Sequence, residues 1–124
     1  MKHLKKGRKL GRRINQRKAL LKSLAGSLFE KEEVITTEVK AKELKIFAER
    51  LISQAKKMLS GRKEKGLYAF RKIKSRIPSG AKKDRLAELA KRFAQRKGGY
   101  TQIVKIAPRK SDGAKMALIR ILKD

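Results

Sequence analysis

The sequence predicts a two-layer α+β fold, α-β-α-α-α-β-β, in which helices cover one face of a small three-stranded sheet. Three observations predict it. Four stretches carry apolar residues at helical spacing. A short β-branched run separates the first two of them. Near the C-terminal end, two runs rich in Ile, Val and Leu flank a turn-like segment, as in a hairpin.

The elements follow in order. Residues 1–9 read as a basic tail, and 10–124 as a single globular α+β domain. From about Leu10 the apolar positions are Leu10, Ile14, Leu21, Leu24 or Ala25, and Leu28, an amphipathic helix with a basic outer surface. Glu33-Val34-Ile35-Thr36-Thr37 is strand-like, and Thr37 then suits an N-cap, with Glu38 at the positive end of the next helix. That helix shows Ala41, Leu44, Phe47, Ala48, Leu51, Ile52 and Ala55, and Ser60-Gly61 ends it. A third helix has Leu67, Phe70, Ile73 and Ile77 facing inward, and Pro78 stops it. A fourth shows Leu86, Leu89, Ala90 and Phe93, and Gly98-Gly99 closes it in the manner of a C-terminal cap. Tyr100 to Ala107 and Met116 to Leu122 are the hairpin strands, joined by a long loop. Phe47, Phe70 and Phe93 lie on apolar stripes and belong to the core.

Charge dominates the composition. Lys and Arg number 37 against 11 Asp and Glu, a net charge of +26 on 124 residues. A compact body so charged repels itself, and a polyanion relieves the repulsion. Nucleic acid is the first candidate partner and an anionic membrane surface the second. The charge is also segregated. Residues 1–29 hold ten Lys or Arg and no acid, 30–54 are nearly balanced, and 55–124 hold 22 basic and five acidic residues.

Several classes of chemistry lack their parts. With no Cys there is no disulfide framework, thiol nucleophile or cysteine metal site. His3 is the only His, set among Lys2, Lys5 and Lys6 with no orienting carboxylate nearby, so it reads as a polar contact residue. Gly61 to Gly66 has the glycine spacing of a phosphate loop but continues into Leu67 and Tyr68, where Lys and Ser or Thr are required. It reads as an ordinary loop. Glu30, Glu32 and Glu33 read as an exposed turn, and Asp84 and Glu88, beside Arg85, Lys91 and Arg92, as an ion-paired helix face. No cofactor, metal or small-molecule substrate is expected. No apolar run approaches the ~18 residues of a membrane span, and the start does not resemble a secretory signal. The expected compartment is the cytoplasm.

The basic residues point to nucleic acid. Each cation placed on a phosphate releases condensed counterions, so binding is favourable and salt-sensitive. The first tier is Lys2, His3, Lys5, Lys6, Arg8, Lys9, Arg12, Arg13, Arg17 and Lys18; Lys22, Arg96 and Lys97 form a second. Their proposed role is phosphate and ribose contact. No strand carries the aromatic pattern of a base-stacking module, so recognition is expected through phosphates, ribose hydroxyls and shape. Tyr100, beside Arg96 and Lys97, reads equally as an RNA contact and as a core residue at a strand end.

The opening Met1-Lys-His-Leu-Lys-Lys-Gly-Arg-Lys-Leu-Gly-Arg12 closely resembles that of the bacterial large-subunit ribosomal protein L-seventeen family. Similar stretches follow in order: Arg17-Lys-Ala-Leu-Leu21, Ala25-Gly-Ser-Leu28, Ile35-Thr-Thr37, Lys40-Ala-Lys-Glu-Leu44, Arg96-Lys-Gly-Gly-Tyr-Thr101 and Asp112-Gly-Ala-Lys-Met-Ala117. They span essentially the whole chain. Four positions depart from the family pattern. Gln16 stands where His is usual, Ser23 where Asn is common, Gln102 where Arg often follows Tyr-Thr, and Arg120 where the last strand usually carries an acid. The stretch 60–84 matches least.

The resemblance implies a non-catalytic structural protein of the large ribosomal subunit, bound to its rRNA near the exit side of the polypeptide tunnel. It implies a small mixed sheet under helices and a tail that enters rRNA. Its partners would be large-subunit rRNA and neighbouring large-subunit proteins, with no membrane and no homo-oligomer. The ribosome would be of bacterial type, in the cytoplasm or in an organelle. The alternative is an architectural DNA-binding protein, which shares the charge but needs a helix-turn-helix spacing, zinc site or dimerising arm that the sequence does not show. An enzyme of RNA metabolism would lack a His, Cys or carboxylate cluster to do the chemistry.

Overall fold

A computed structural model describes residues 8, 10–59, 71–77 and 81–123. The elements run α1 (Ile14–Lys31), β1 (Glu33–Thr37), α2 (Glu38–Met58), α3 (of which 71–76 is described), α4 (Ala81–Arg92), β2 (Thr101–Ile106) and β3 (Met116–Ile121). The α+β class and the order of elements are those the sequence predicts. Leu67, Phe70 and Pro78, with the turns at Ser60-Gly61 and Gly66, lie outside the described residues.

Helix α1 starts later than its apolar spacing suggests. Leu10 and Gly11 both have left-handed backbone, with φ of 56° and 64°, and two such residues in succession cannot lie in a right-handed helix. Ile14 is consequently 56% exposed. The buried face is Leu21, Ala25, Leu28 and Phe29, and Phe29, absent from the predicted stripe, is completely buried. The Gln16 side-chain oxygen accepts from the Arg13 backbone N–H at 3.4 Å, satisfying one of the donors at the helix start. The helix closes at Glu32, whose left-handed backbone (φ 65°) turns the chain directly into β1.

Helix α2 buries Ala41, Leu44, Ala48, Leu51, Ile52 and Ala55 against the sheet and the other helices. Thr37 occupies its N-cap position in extended backbone, but its side chain does not cap. The Glu38 N–H donates instead to the Lys115 carbonyl at 2.9 Å. Phe47 departs from its predicted place. It sits at the margin of the stripe and is only half-buried, packed against the core from outside.

Ile73 and Ile77 of the α3 region are buried, as are Leu86, Leu89 and Ala90 along α4 and Phe93 just beyond it. Helix α4 ends at Arg92, short of Gly98-Gly99. Ala94 and Arg96 donate to carbonyls three residues back, at 3.3 and 2.9 Å, and this tightening unwinds the helix before the glycines are reached. Gly99, at φ 65°, instead serves the turn into β2.

The sheet order is β1-β3-β2, so the strand latest in sequence is the central one. Both pairings are antiparallel, where the resemblance implied a mixed sheet. The hairpin makes β2 and β3 antiparallel, and β1 pairs with the free edge of β3 in the same sense, with Ile35 opposite Leu118 and Leu118 opposite Val104. Strand alternation sends Ala117, Ile119 and Ile121 into the core with α2 above them. In the hairpin loop Asp112 accepts from the Ala114 N–H at 3.1 Å and from Arg109 Nε at 3.0 Å, while Gly113 supplies the left-handed residue at φ 70°.

Candidate nucleic-acid interface

Of the tail and first-helix candidates, Lys2, His3, Lys5, Lys6 and Lys9 lie outside the described residues. Arg8 is exposed and pairs with Glu43 of α2 at 3.2 Å. Arg12 folds back to the Leu10 carbonyl at 2.7 Å, which stabilises the left-handed turn ahead of the helix. Arg13 is exposed at the N-cap, Lys18 is exposed one turn on, and Arg17 and Lys22 are half-buried with their stems along the helix. The outer surface of α1 therefore carries Arg17, Lys18 and Lys22 with no acidic residue before Glu30.

Lys18 and Lys22 open onto a cleft between α1, α2 and the α3 region, with a volume of about 570 Å³. Its apolar wall is Ala19, Leu21, Ile46 and Phe47. Arg50 of α2 and Arg76 of the α3 region join Lys18 and Lys22 around it, and Glu43, the partner of Arg8, is the carboxylate on its lining. Among the described residues no carboxylate pairs with any of these four cations. Arg50 and Arg76 were absent from the predicted site. Both sit in helices read for their apolar faces, and only the packing of three helices brings them beside Lys18 and Lys22.

The second predicted group lies elsewhere. Arg96 and Lys97 are exposed beyond the end of α4. Arg96 Nε donates to the carbonyls of Gly98 and Gly99 at 3.0 and 3.1 Å, and the Arg96 carbonyl accepts from Lys56 near the C-terminal end of α2. Tyr100 is no surface contact. It is 2% exposed, its ring lies 5.1 Å from that of Phe93, and its hydroxyl meets Lys56 Nζ at 3.0 Å. The next residue, Thr101, is buried, and its N–H and hydroxyl both donate to Glu49 Oε1, at 3.3 and 2.9 Å. Lys56 and Glu49, one on each side of the Tyr100-Thr101 link, fasten β2 to α2.

The acidic residues are largely engaged in holding the fold. Glu32 pairs with Arg92, and this hydrogen bond, with burial opposing it, holds the Glu32 carboxyl below the usual range. Glu38 pairs with Lys42 at 3.2 Å and with Lys105 at 3.6 Å and is lowered in the same way, mainly by Lys42. Arg85 donates to Glu88 at 3.4 Å and to the Glu30 carbonyl at 2.9 Å. Arg85 and Arg92 of α4 are thus paired within the molecule, whereas among the described residues Lys18, Lys22, Arg50 and Arg76 around the α1 cleft have no carboxylate partner. Among the described residues no group of His, Asp and Glu could hold a metal ion, and no helix is long and apolar enough to cross a membrane.

Comparison with known proteins identifies the family. The family model described as Ribosomal protein L17 matches residues 20–122. The chain is 42% identical over 119 residues to the large ribosomal subunit protein bL17 of Exiguobacterium sibiricum, covering 92% of this chain and 97% of that one. It is likewise 42% identical to bL17 of Fusobacterium nucleatum over 123 residues, 98% of this chain and 100% of the relative. The relative from Lacticaseibacillus casei is 40% identical over 93% of this chain and 98% of its own length. With its helix-covered antiparallel sheet, its charge and these matches along nearly its full length, the chain belongs to the ribosomal protein L17 family, which is structural and not enzymatic.

Proposed function

We propose that the protein is a structural constituent of the large ribosomal subunit and that it binds large-subunit rRNA through phosphate and ribose contacts. One observation carries the RNA reading. Residues 1–29 hold ten cations and no acid, and on α1 the cations of that run, Arg17, Lys18 and Lys22, have no carboxylate partner among the described residues. Such a surface is stabilised by ordered phosphates and has no role in packing the core. The arm 1–9 and the body 10–124 divide this work: the arm reaches between RNA segments, and α1 presents a rigid row of cations. On this reading the neighbours are other large-subunit proteins, the protein is not a homo-oligomer, and its compartment is the ribosome of the bacterial cytoplasm. A position near the exit side of the polypeptide tunnel belongs to the same proposal.

The test is sedimentation of native lysate on sucrose gradients at low and high salt. The chain should migrate with the large subunit, persist there at moderate salt, and be released by RNase. Migration at the top of the gradient, or release by DNase in place of RNase, would refute the reading.

A further inference from the structure

We infer that the cleft between α1, α2 and the α3 region receives an unpaired nucleotide, with its base on Phe47 and its phosphates on Lys18, Lys22, Arg50 and Arg76. The inference rests on the rRNA-binding reading and adds to it a place where a base, and not only backbone, is held.

Four features converge. The cleft, at about 570 Å³, has the size of a site for a small organic group and far exceeds a phosphate. Its wall is apolar, with Ile46 43% exposed and Phe47 partly buried on the lining. Four cations from three helices surround that wall, and among the described residues none is neutralised by a carboxylate. Finally, the cleft opens onto the basic face of α1, so an RNA strand lying along Lys18 and Lys22 passes its mouth. An apolar wall with an aromatic ring, rimmed by cations, matches a nucleotide in both parts: the ring takes a base face of any identity, and the cations take the flanking phosphates. A duplex offers no free base face, so the occupant is a looped or bulged residue.

Two measurements test this on the full-length chain bound to purified bacterial large-subunit rRNA. The first is ultraviolet cross-linking at 254 nm with mass spectrometry of tryptic peptides. A nucleotide adduct is expected on the peptide Ile46-Phe47-Ala48-Glu49-Arg50, which trypsin releases between Lys45 and Arg50. The second is the affinity of Phe47→Leu, which keeps an apolar group of similar bulk; helical circular dichroism verifies that it folds. Its binding should weaken about tenfold with the slope of affinity against salt unchanged, because no phosphate contact is lost. Arg50→Gln should instead lower that slope by about one. If the wild-type chain binds rRNA, Phe47→Leu binds equally well and adducts fall only in the N-terminal arm, the nucleotide assignment is overturned and the rRNA reading stands. If the wild-type chain binds no rRNA, both fail. If intact subunits give protein cross-links from Lys22 and no nucleotide adduct on 46–50, the cleft belongs to an acidic protein segment and the assignment is likewise overturned.

Discussion

Gln102 and Arg120 stand opposite each other on β2 and β3, and the Gln102 side-chain oxygen accepts from the Arg120 guanidinium twice, from Nε at 3.0 Å and from Nη2 at 2.8 Å. The pair ties the two hairpin strands together at an exposed position. A double-mutant cycle of Gln102→Ala and Arg120→Ala should give a coupling of about 0.2–1 kcal/mol, as for an exposed cross-strand pair. Gln102→Arg alone sets two guanidinium groups face to face and should lower stability by a similar amount. Strict additivity in urea titrations would mean the contact contributes nothing.

Phe29 and Phe47 should separate sharply. Phe29 is completely buried among the helices, so Phe29→Ala should cost about 3–5 kcal/mol. Phe47 is only partly buried, on the lining of the cleft, and Phe47→Ala should cost only about 1–2 kcal/mol. Equal shifts of the urea midpoint would contradict the margin position of Phe47.

Glu49 is the partner of two donors on one buried residue. Glu49→Ala leaves the Thr101 N–H and hydroxyl unpaired at 4% exposure and should cost about 1–3 kcal/mol. Thr101→Val in that background should recover part of the loss by removing the hydroxyl. Differential scanning calorimetry would detect the change, and an unaltered Tm would show that water replaces the carboxylate.

Stability should fall in acid. The carboxyls of Glu32, Glu38 and Asp112 are all lowered in the folded protein, by Arg92, by Lys42 and by the Ala114 N–H as the leading causes. A lowered folded value means a contribution that is complete above the unfolded values, 4.5 for the glutamates and 3.8 for the aspartate, and lost as pH drops through the folded ones. The urea midpoint should thus hold from pH 7 to about 5 and decline below about 4.5. Glu32→Gln should make that decline shallower, and an identical acid profile in this variant would remove Glu32 from the account.

Removing residues 1–9 should leave the helical circular-dichroism signal near wild type and weaken rRNA binding strongly. The deletion takes away five Lys or Arg, so the slope of affinity against salt should fall by up to about four. Lost helicity would show that the arm supports the body, for which Arg8–Glu43 is the available contact.

Much of the fold was legible because its elements are locally consistent. The stripes of α2 and α4 each carry one period and, Phe47 apart, bury the face it marks, and β3 buries the alternate residues Ala117, Ile119 and Ile121. What was not legible depended on chain geometry or on distant neighbours. Periodicity counts Leu10 into α1, but the left-handed pair Leu10-Gly11 is a backbone state that spacing does not reveal. The same counting passed over Phe29, which lies one position beyond Leu28 on the same buried side. Tyr100 could not be assigned from its basic neighbours, since its burial depends on Lys56 and Phe93 from two other elements. The site divides in the same way: the cations of α1 form a run that reading finds, while Arg50 and Arg76 reach the cleft only by tertiary packing.

The sheet order has a consequence for how the molecule is made. β1 and β2 are not paired with each other, and each pairs only with β3, which follows both in the chain. During synthesis β1 must therefore wait for some eighty further residues before it acquires a ladder partner, and β2 gains its own only in the same event. Helices α1 and α2 can form meanwhile, but the surface they bury against β3 stays open. Folding is thus committed late and closes in one step around a single strand, with a large sequence separation that slows it. A chain broken off before Met116 would be left with two solitary strands and an uncovered helical layer, a species prone to associate with other incomplete copies.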